Sequence, residues 1–460
     1  MQRHNDKGRR LDIPPRALKG AAVHPFPDAR KWIVAPKRVS MSWILLFFGM
    51  LVAHAQQPNP PPSPAVRITL EQAIQFALQH NHALEAARST IRQNQALEIT
   101  ANLRPNPTLS WDTQFLPLFN LNQFNWSYIN NSAQFDVGLG YTFERGKKRQ
   151  RRLQAAQDQT TISRSLVSDN QRTLAFNVAQ QFVSVLLAQS MIELAQQDLA
   201  SFQQTVDLSE AQVRAGAISE GDALKIKLQL LQFQTDVSSA RLAKVQALAA
   251  LRQLVGFESV AQNYDVEGTL DYQSVHGDLA ALKMLAMNSR PDLLAARQSI
   301  TAARSQESLA VANGKRDLDV SFNYSHVTHI NSGAFFFNMQ IPIFDRNQGE
   351  IARTQAAITQ SQELVAEANE QVMSDVVNAY EGLHTNDQIV ALYRSGYLEK
   401  STQSRDISLY AYQRGAASLL DYLDAERSYR ANQLAYRQAV ANYMLTLEQL
   451  RAAVGIRSLP

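Results

Sequence analysis

GAASLLDYLDAER, Gly415–Arg427, restates an earlier phrase of the same chain, GAISEGDALKIK, Gly216–Lys227. Each runs on to a matching stop, VGI (Val454–Ile456) or VGF (Val255–Phe257). The echo extends upstream. ALEAARSTI (Ala83–Ile91) pairs with DLLAARQSI (Asp292–Ile300), and FERGKKRQRRLQAA (Phe143–Ala156) with FDRNQGEIARTQAA (Phe344–Ala357). Offsets that stay close to 200 residues mean a duplicated unit, not a solenoid of short repeats. The expected organisation is therefore two homologous halves, 67–257 and 278–456, joined by an irregular linker at 258–277.

Both halves follow one order. An Ala-rich helical segment comes first (about 70–103 and 279–313), interrupted near Asn81 or Pro291. Two strands follow, expected at 108–118 and 133–143, then at 317–327 and 334–344. In FDVGLGYTF, Phe135, Val137, Leu139, Tyr141 and Phe143 alternate with Asp136, Gly138, Gly140 and Thr142. Strict period-2 alternation means a strand with one apolar and one polar face. Long helices are expected at 144–213 and 347–413, each answered by a return helix at 219–255 or 418–453. Val185, Ile192, Leu199, Val206 and Val213 recur every seventh residue, as do Val376, Leu383, Val390 and Tyr397, which is a coiled-coil seam. No Pro falls between Leu118 and Arg290 or between Ile343 and Leu459, so nothing in these runs removes a helical donor.

Four strands of about ten residues are long enough to cross a bilayer when tilted. Lipid tolerates no open sheet edge, and membrane barrels start at about eight strands. A chain of this kind must assemble, and periodicity leaves a dimer and a trimer equally open. The competing reading is a soluble periplasmic coiled-coil scaffold or adaptor, with its hairpins packed on a helical bundle.

Composition narrows the setting. Residues 1–40 hold 10 Lys/Arg and 3 Asp/Glu, leaving 35 basic against 38 acidic residues in the rest; the body is mildly acidic and nothing calls for a nucleic-acid partner. There is no cysteine, which removes disulfides, thiolate metal sites and a Cys nucleophile. WILLFFGMLVAHA (Trp43–Ala55) is too short for a spanning helix, follows Lys37 and Arg38, and ends in Ala53-His54-Ala55. It reads as a signal peptide, 41–55, behind an extension or mis-called start at 1–40 and ahead of a Pro-rich leader at 56–66.

The duplicated helix–strand–strand–long helix–tip–helix order resembles the TolC family of outer-membrane efflux channels over essentially all of residues 67–456. GAASLLDYLDAERSYR and PIFDRNQGEIARTQAAI are close to that family's recurring phrases. The resemblance implies a mainly α chain with a small membrane β-part. It implies a homotrimer in the outer membrane of a Gram-negative bacterium, with a 12-stranded β-barrel continued by a 12-helix α-barrel through the periplasm. A periplasmic adaptor (membrane fusion protein) and an inner-membrane pump would dock at the helical tips, and the chain would be a passive conduit for small solutes. IFDRNQGEIARTQAA and ERGKKRQRR are most similar to the branch serving cobalt–zinc–cadmium pumps, which hints at divalent heavy-metal cations. Many relatives carry an acylated N-terminal cysteine; no cysteine occurs here.

At the repeated phrase, Gly216 and Gly415 suit the left-handed residue that ends a helix. Ser219 with Asp222, and Ser418 with Asp421, have capping-box spacing for the returning helix. Asp421 and Asp424 share a helix face. In the family the matching pair lines the periplasmic aperture, so both are candidates for carboxylate rings that favour cations. The first copy has Asp222 and Lys225 instead, so its tip adds nothing to such rings. Arg214, Gly216, Ala217, Ile218, Arg414, Gly415, Ala416 and Ala417 are the candidate adaptor contacts. Arg145, Lys147, Lys148 and Arg149 follow directly on a strand, at a helix start where the dipole disfavours cations, and are candidates for contact with lipid headgroups. No enzyme signature, cofactor motif or metal-ligand spacing is found. His326 and His329 sit on opposite faces of a strand end, and ANGKRD at Ala312 lacks the glycine and hydroxyl of a phosphate-binding loop.

Overall fold

The computed structural model describes residues 66–275 and 277–458; the expected extension, signal peptide and all but the last residue of the leader lie outside them. β1 (Arg67–Ile68) leads into α1 (Leu70–His80) and α2 (His82–Asn102). β2 (Thr108–Gln114) and β3 (Gln134–Phe143) flank a loop that carries α3 (Trp126–Asn131). α4 (Lys148–Arg214) and α5 (Glu220–Val255) make the first helical hairpin. After β4 (Asp265–Val266) the order returns as α6 (Leu279–Ser289), α7 (Pro291–Asn313), β5 (Leu318–Val327), β6 (Ile330–Asn338), α8 (Gln348–Leu392), α9 (Leu398–Gln413) and α10 (Leu419–Val454).

The strands form one antiparallel sheet in the order β2-β3-β5-β6, so the two hairpins meet along β3 and β5, from Gln134↔Val327 to Phe143↔Leu318. β2 and β6 are open edges within the chain. Residues opposite one another in register point to one face. Leu109, Leu139, Phe322 and Phe335 make one apolar row; Ser110, Gly138, Asn323 and Ala334 make a row on the other side. The apolar rows are uncovered: Trp111 is 76% exposed and Phe337 68%. Glycine shapes the polar face, because a Cβ on Gly138 would lie 2.4 Å from Ser110 Oγ and 2.5 Å from Asn323 Oδ1. Side chains of the neighbouring strands close over that position, as on the concave side of a curved sheet.

Both repeats fold back on themselves in the same way where the first helical segment breaks. Asn81 ends α1, accepts from Leu84 N at 3.0 Å to start α2, and donates to Leu254 O at 2.9 Å. In the second half Pro291 occupies the first turn of α7, and Ser289 Oγ donates to Val454 O. The VGF and VGI stops are thus where each return helix meets the broken helix. Gly256 (φ +94°) and Gly455 (φ +85°) turn the chain there, and a Cβ on Gly256 would lie 3.1 Å from His80. Separate apolar cores surround the two junctions. One is built on Ile74, Val178, Phe182 and Leu251, the other on Leu282, Val376, Val440 and Tyr443.

Several elements depart from the periodicity reading. β2 stops at Gln114, because Phe115 adopts φ +58°, and the loop behind it holds a 3-10 turn and α3. β6 begins earlier than expected: Thr328 (φ +49°) and His329 (φ +65°) make a two-residue hairpin turn, so β5 and β6 pair from Val327↔Ile330. The linker is not wholly irregular, since β4 pairs in parallel with β1. The second long helix is broken. Residues Tyr393–Tyr397 form a π-type turn with Ser395 and Gly396 (φ +106°) outside helical geometry, whereas α4 runs unbroken for 67 residues, about 100 Å. The seam residues Val376, Leu383 and Val390 are buried, but Tyr397, just past the break, is 58% exposed. One stretch of α4 is apolar enough to cross a membrane by composition, yet half of it is buried in the protein's own core.

Candidate functional site

The two helical hairpins end in turns with the same hydrogen-bond pattern. Gly216 (φ +70°) donates to Val213 O at 2.9 Å and Ala217 to Gln212 O at 2.8 Å. Gly415 (φ +74°) donates to Tyr412 O at 3.0 Å and Ala416 to Ala411 O at 2.9 Å. These paired bonds satisfy the last carbonyls of the outgoing helix around a left-handed residue. Arg214, Gly216, Ala217, Arg414, Gly415 and Ala416 are exposed, while Ile218 and Ala417 are half-buried. Beside the first turn lies a groove of about 640 Å³, lined by Glu210, Arg214, Glu220, Leu224 and Lys227 among others.

The returning helices start differently. Ser418 Oγ accepts from Asp421 N at 3.2 Å, and Asp421 Oδ2 accepts from Ser418 N at 3.0 Å, a complete reciprocal cap. Ser219 Oγ accepts from Asp222 N at 3.1 Å, but the Asp222 carboxylate turns to Lys225 at 3.0 Å and returns no bond to the Ser219 amide. The expected capping box is therefore whole in the second copy and half made in the first. Lys225 holds Asp222 Oδ1, while Oδ2 accepts from the Ser219 hydroxyl at 2.9 Å and not from its amide. Hydrogen bonds hold both carboxyls below the usual range: from Lys225 and then Ser219 for Asp222, and from Ser418 for Asp421. Asp421 and Asp424 both lie on the exposed first turns of α10, and Asp424 pairs with Arg427.

Above the tips the four helices are tied by groups that the sequence patterns did not single out. Phe202 of α4 stacks on Phe233 of α5 with centroids 4.5 Å apart, and Tyr422 of α10 stacks on Tyr412 of α9 at 5.8 Å. Arg430 of α10 lies 4.2 Å over the Phe233 ring and makes ion pairs with Asp198 of α4 and Asp236 of α5. Glu426, one turn nearer the tip, is 7% exposed and faces Asp198 across the interface. Burial pushes its carboxyl up to about 7, with Asp198 adding to the rise and Arg405 opposing it. Burial also pushes Asp198 up, against the pull of Arg430. The Arg430 ion pairs span more than 190 residues of sequence, so no local spacing marks them.

The basic run divides. Arg145, Lys147 and Arg151 are exposed. Lys148 is largely buried in an ion pair with Asp317 at 2.7 Å, and Arg152 pairs with Glu144. The helix starts at Lys148 behind left-handed Gly146 and Lys147, so Arg145 and Lys147 precede it and do not belong to its first turns. His326 bonds Asn331 from the end of β5, and His329 bonds Asn131 from the turn. Among the described residues no group of three or more His, Cys, Asp or Glu side chains could hold a metal ion.

Comparison with known proteins places this geometry. The model of the family described as outer membrane efflux protein matches twice, at residues 73–257 and 283–456. The chain is 24% identical over 376 residues to the cobalt-zinc-cadmium resistance protein CzcC of Cupriavidus metallidurans, covering 81% of this chain and 86% of that protein. It is 27% identical over 276 residues to the cation efflux system protein CusC of Escherichia coli K12, covering 55% of this chain and 58% of that one. A crystal structure of CusC superposes with a TM-score of 0.72 at 19% identity, covering 87% of this chain and 96% of the other.

Proposed function

The chain belongs to the outer membrane efflux protein family, and we propose that it works as a trimer whose sheets close one 12-stranded barrel above a tunnel of helices. It is an outer-membrane efflux channel of a three-part export system, extending into the periplasm, and not an enzyme. The observation that carries assembly is the sheet itself, four strands with two open edges and an uncovered apolar face; three copies in place of two is what membership of the family supports. Such edges are untenable in lipid until other copies pair with them. Exposed apolar stripes on the helices, including Leu224, Leu228 and Leu231 of α5, fit the same assembly.

The tips are the proposed docking surface for a periplasmic adaptor, which hands over solute from an inner-membrane pump. The exposed turn residues and the charged groove beside Arg214 support this. Asp421 and Asp424 are proposed to ring the narrow periplasmic end, where carboxylates favour cations. Asp421 serves there as both cap and ring member. Arg145, Lys147 and Arg149 are proposed to meet anionic headgroups at the inner leaflet; Lys148, held by Asp317, contributes to the strand–helix junction instead. Divalent heavy-metal cations are the proposed cargo, in keeping with the printed names of the two relatives.

Conductance of the purified chain in planar bilayers, beside Asp421→Asn/Asp424→Asn, tests the aperture. Wild-type openings should be cation-selective, and the variant should widen them or lose selectivity. Openings unchanged by the variant would reduce the two aspartates to capping.

A further inference from the structure

We propose that Asp112 and Asp136 form a cation-binding site on the inner wall of the barrel near its outer mouth, taking a divalent metal ion through oxygen ligands. This rests on the channel reading above. The two residues are directly opposite each other on β2 and β3, and their row continues through Ser325 and Ser332. Like charges in facing positions destabilise a strand pair, and Asp is depleted from strands. No inner-facing position of the four strands is Lys or Arg. Among the described residues the only donors offered to the pair are amide dipoles. Gln114 Nε2 lies 2.8 Å from Asp112 Oδ2 and 3.5 Å from Asp136 Oδ2, and Gln134 Nε2 lies 2.7 Å from Asp136 Oδ2.

A separate observation points to a ligand. Asp136 is only 4% exposed, yet its second oxygen, Oδ1, has no hydrogen-bond partner. A buried carboxylate oxygen left unsatisfied is costly, and native structures rarely keep one without a use. The third inner-facing acid, Asp319, differs: Thr142 Oγ1 donates to it at 2.6 Å. It adds negative field at the other end of the wall, with no orphaned oxygen.

The helices leave from the Phe143 end of β3, so Asp136 stands about 23 Å away, toward the loop that carries α3. In a trimer the pair recurs three times, giving six carboxylates around the exit. All-oxygen donors without thiolate or imidazole bind hard divalent ions and release borderline ones readily. A station that attracts an ion but does not retain it is what conduction requires.

The test has two readouts on the detergent-purified full chain. Mn²⁺ titration followed by electron paramagnetic resonance should show one site per chain that Asp112→Asn/Asp136→Asn abolishes and Asp421→Asn/Asp424→Asn leaves intact. In planar bilayers, Mn²⁺ added on the side of the α3 loop should block K⁺ current, and the barrel variant should raise the blocking concentration at least tenfold. Asp112→Asn alone, on an exposed strand, covers the case in which the double variant fails to assemble; it should weaken Mn²⁺ binding severalfold. Unchanged Mn²⁺ binding and unchanged block in these variants would overturn the site, as would a wild-type chain that shows neither. A chain that binds Mn²⁺ through this pair but conducts nothing would keep the site and defeat the channel reading.

Discussion

Replacing Glu426 with glutamine should stabilise the folded chain at pH 8 by roughly 3 kcal/mol and leave it nearly unchanged at pH 4. Glu426 is buried between α10 and α4 and makes no hydrogen bond among the described residues; its carboxyl is pushed up to about 7 from an ordinary value of 4.5. Each unit of that rise is worth about 1.4 kcal/mol of preference for the protonated form. Below the unfolded value both states are protonated and the group costs nothing. Between 4.5 and 7 the folded chain holds more protons than the unfolded one, so stability falls as pH rises; above 7 the full penalty is present. Glutamine keeps the volume and removes this group's titration, so the variant should lose the Glu426 share of the fall across that window. Thermal melts by circular dichroism at the two pH values measure it, with a Tm gain of a few degrees expected at pH 8 only. An equal gain at both pH values, or a loss at pH 8, would refute the argument that an ionised Glu426 beside Asp198 strains the four-helix interface.

Arg430→Ala leaves Asp198 and Asp236 unpaired and uncovers the Phe233 ring. Breaking a buried pair in this way should cost about 3–5 kcal/mol in the same melts. Ser418→Ala should cost more than Ser219→Ala, about 1 kcal/mol against a smaller loss, because only Ser418 makes the reciprocal cap; hydrogen exchange at the first turns of α10 and α5 separates the two. Gly138→Val would drive a side chain into Ser110 and Asn323, so the assembled, heat-resistant oligomer should fall sharply on unboiled gels while the helical signal persists.

What could be read from the sequence is what repeats with a short period or repeats outright. The alternation of Phe135 to Phe143 marks a strand because every second side chain meets the same surroundings. The two tip phrases mark equivalent turns because Gly216 and Gly415 occupy the same left-handed position. The break at Gly396 had a local signal, a glycine next to Ser395 within a helical pattern, but the seam through Val390 masked it. The early turn at Thr328 and His329 carried no such signal, since β-branched Thr328 disfavours a positive φ and Asn131, far away in sequence, braces both. The Arg430, Asp198 and Asp236 cluster was equally silent. Its members lie on three helices, and only the folded hairpins bring them together.

The absence of cysteine from the chain allows the most direct test of the assembly. One cysteine on each open edge strand, with Leu109→Cys on β2 combined in turn with Gly333→Cys, Phe335→Cys and Phe337→Cys, which share its face, on β6, can report contact between the two edges. Oxidised in the outer membrane, at least one combination should run as a covalent trimer on non-reducing gels, because each copy's β6 meets the next copy's β2 and the third closes the ring. A ladder that stops at the dimer, or monomer alone in every combination, would contradict the 12-stranded barrel.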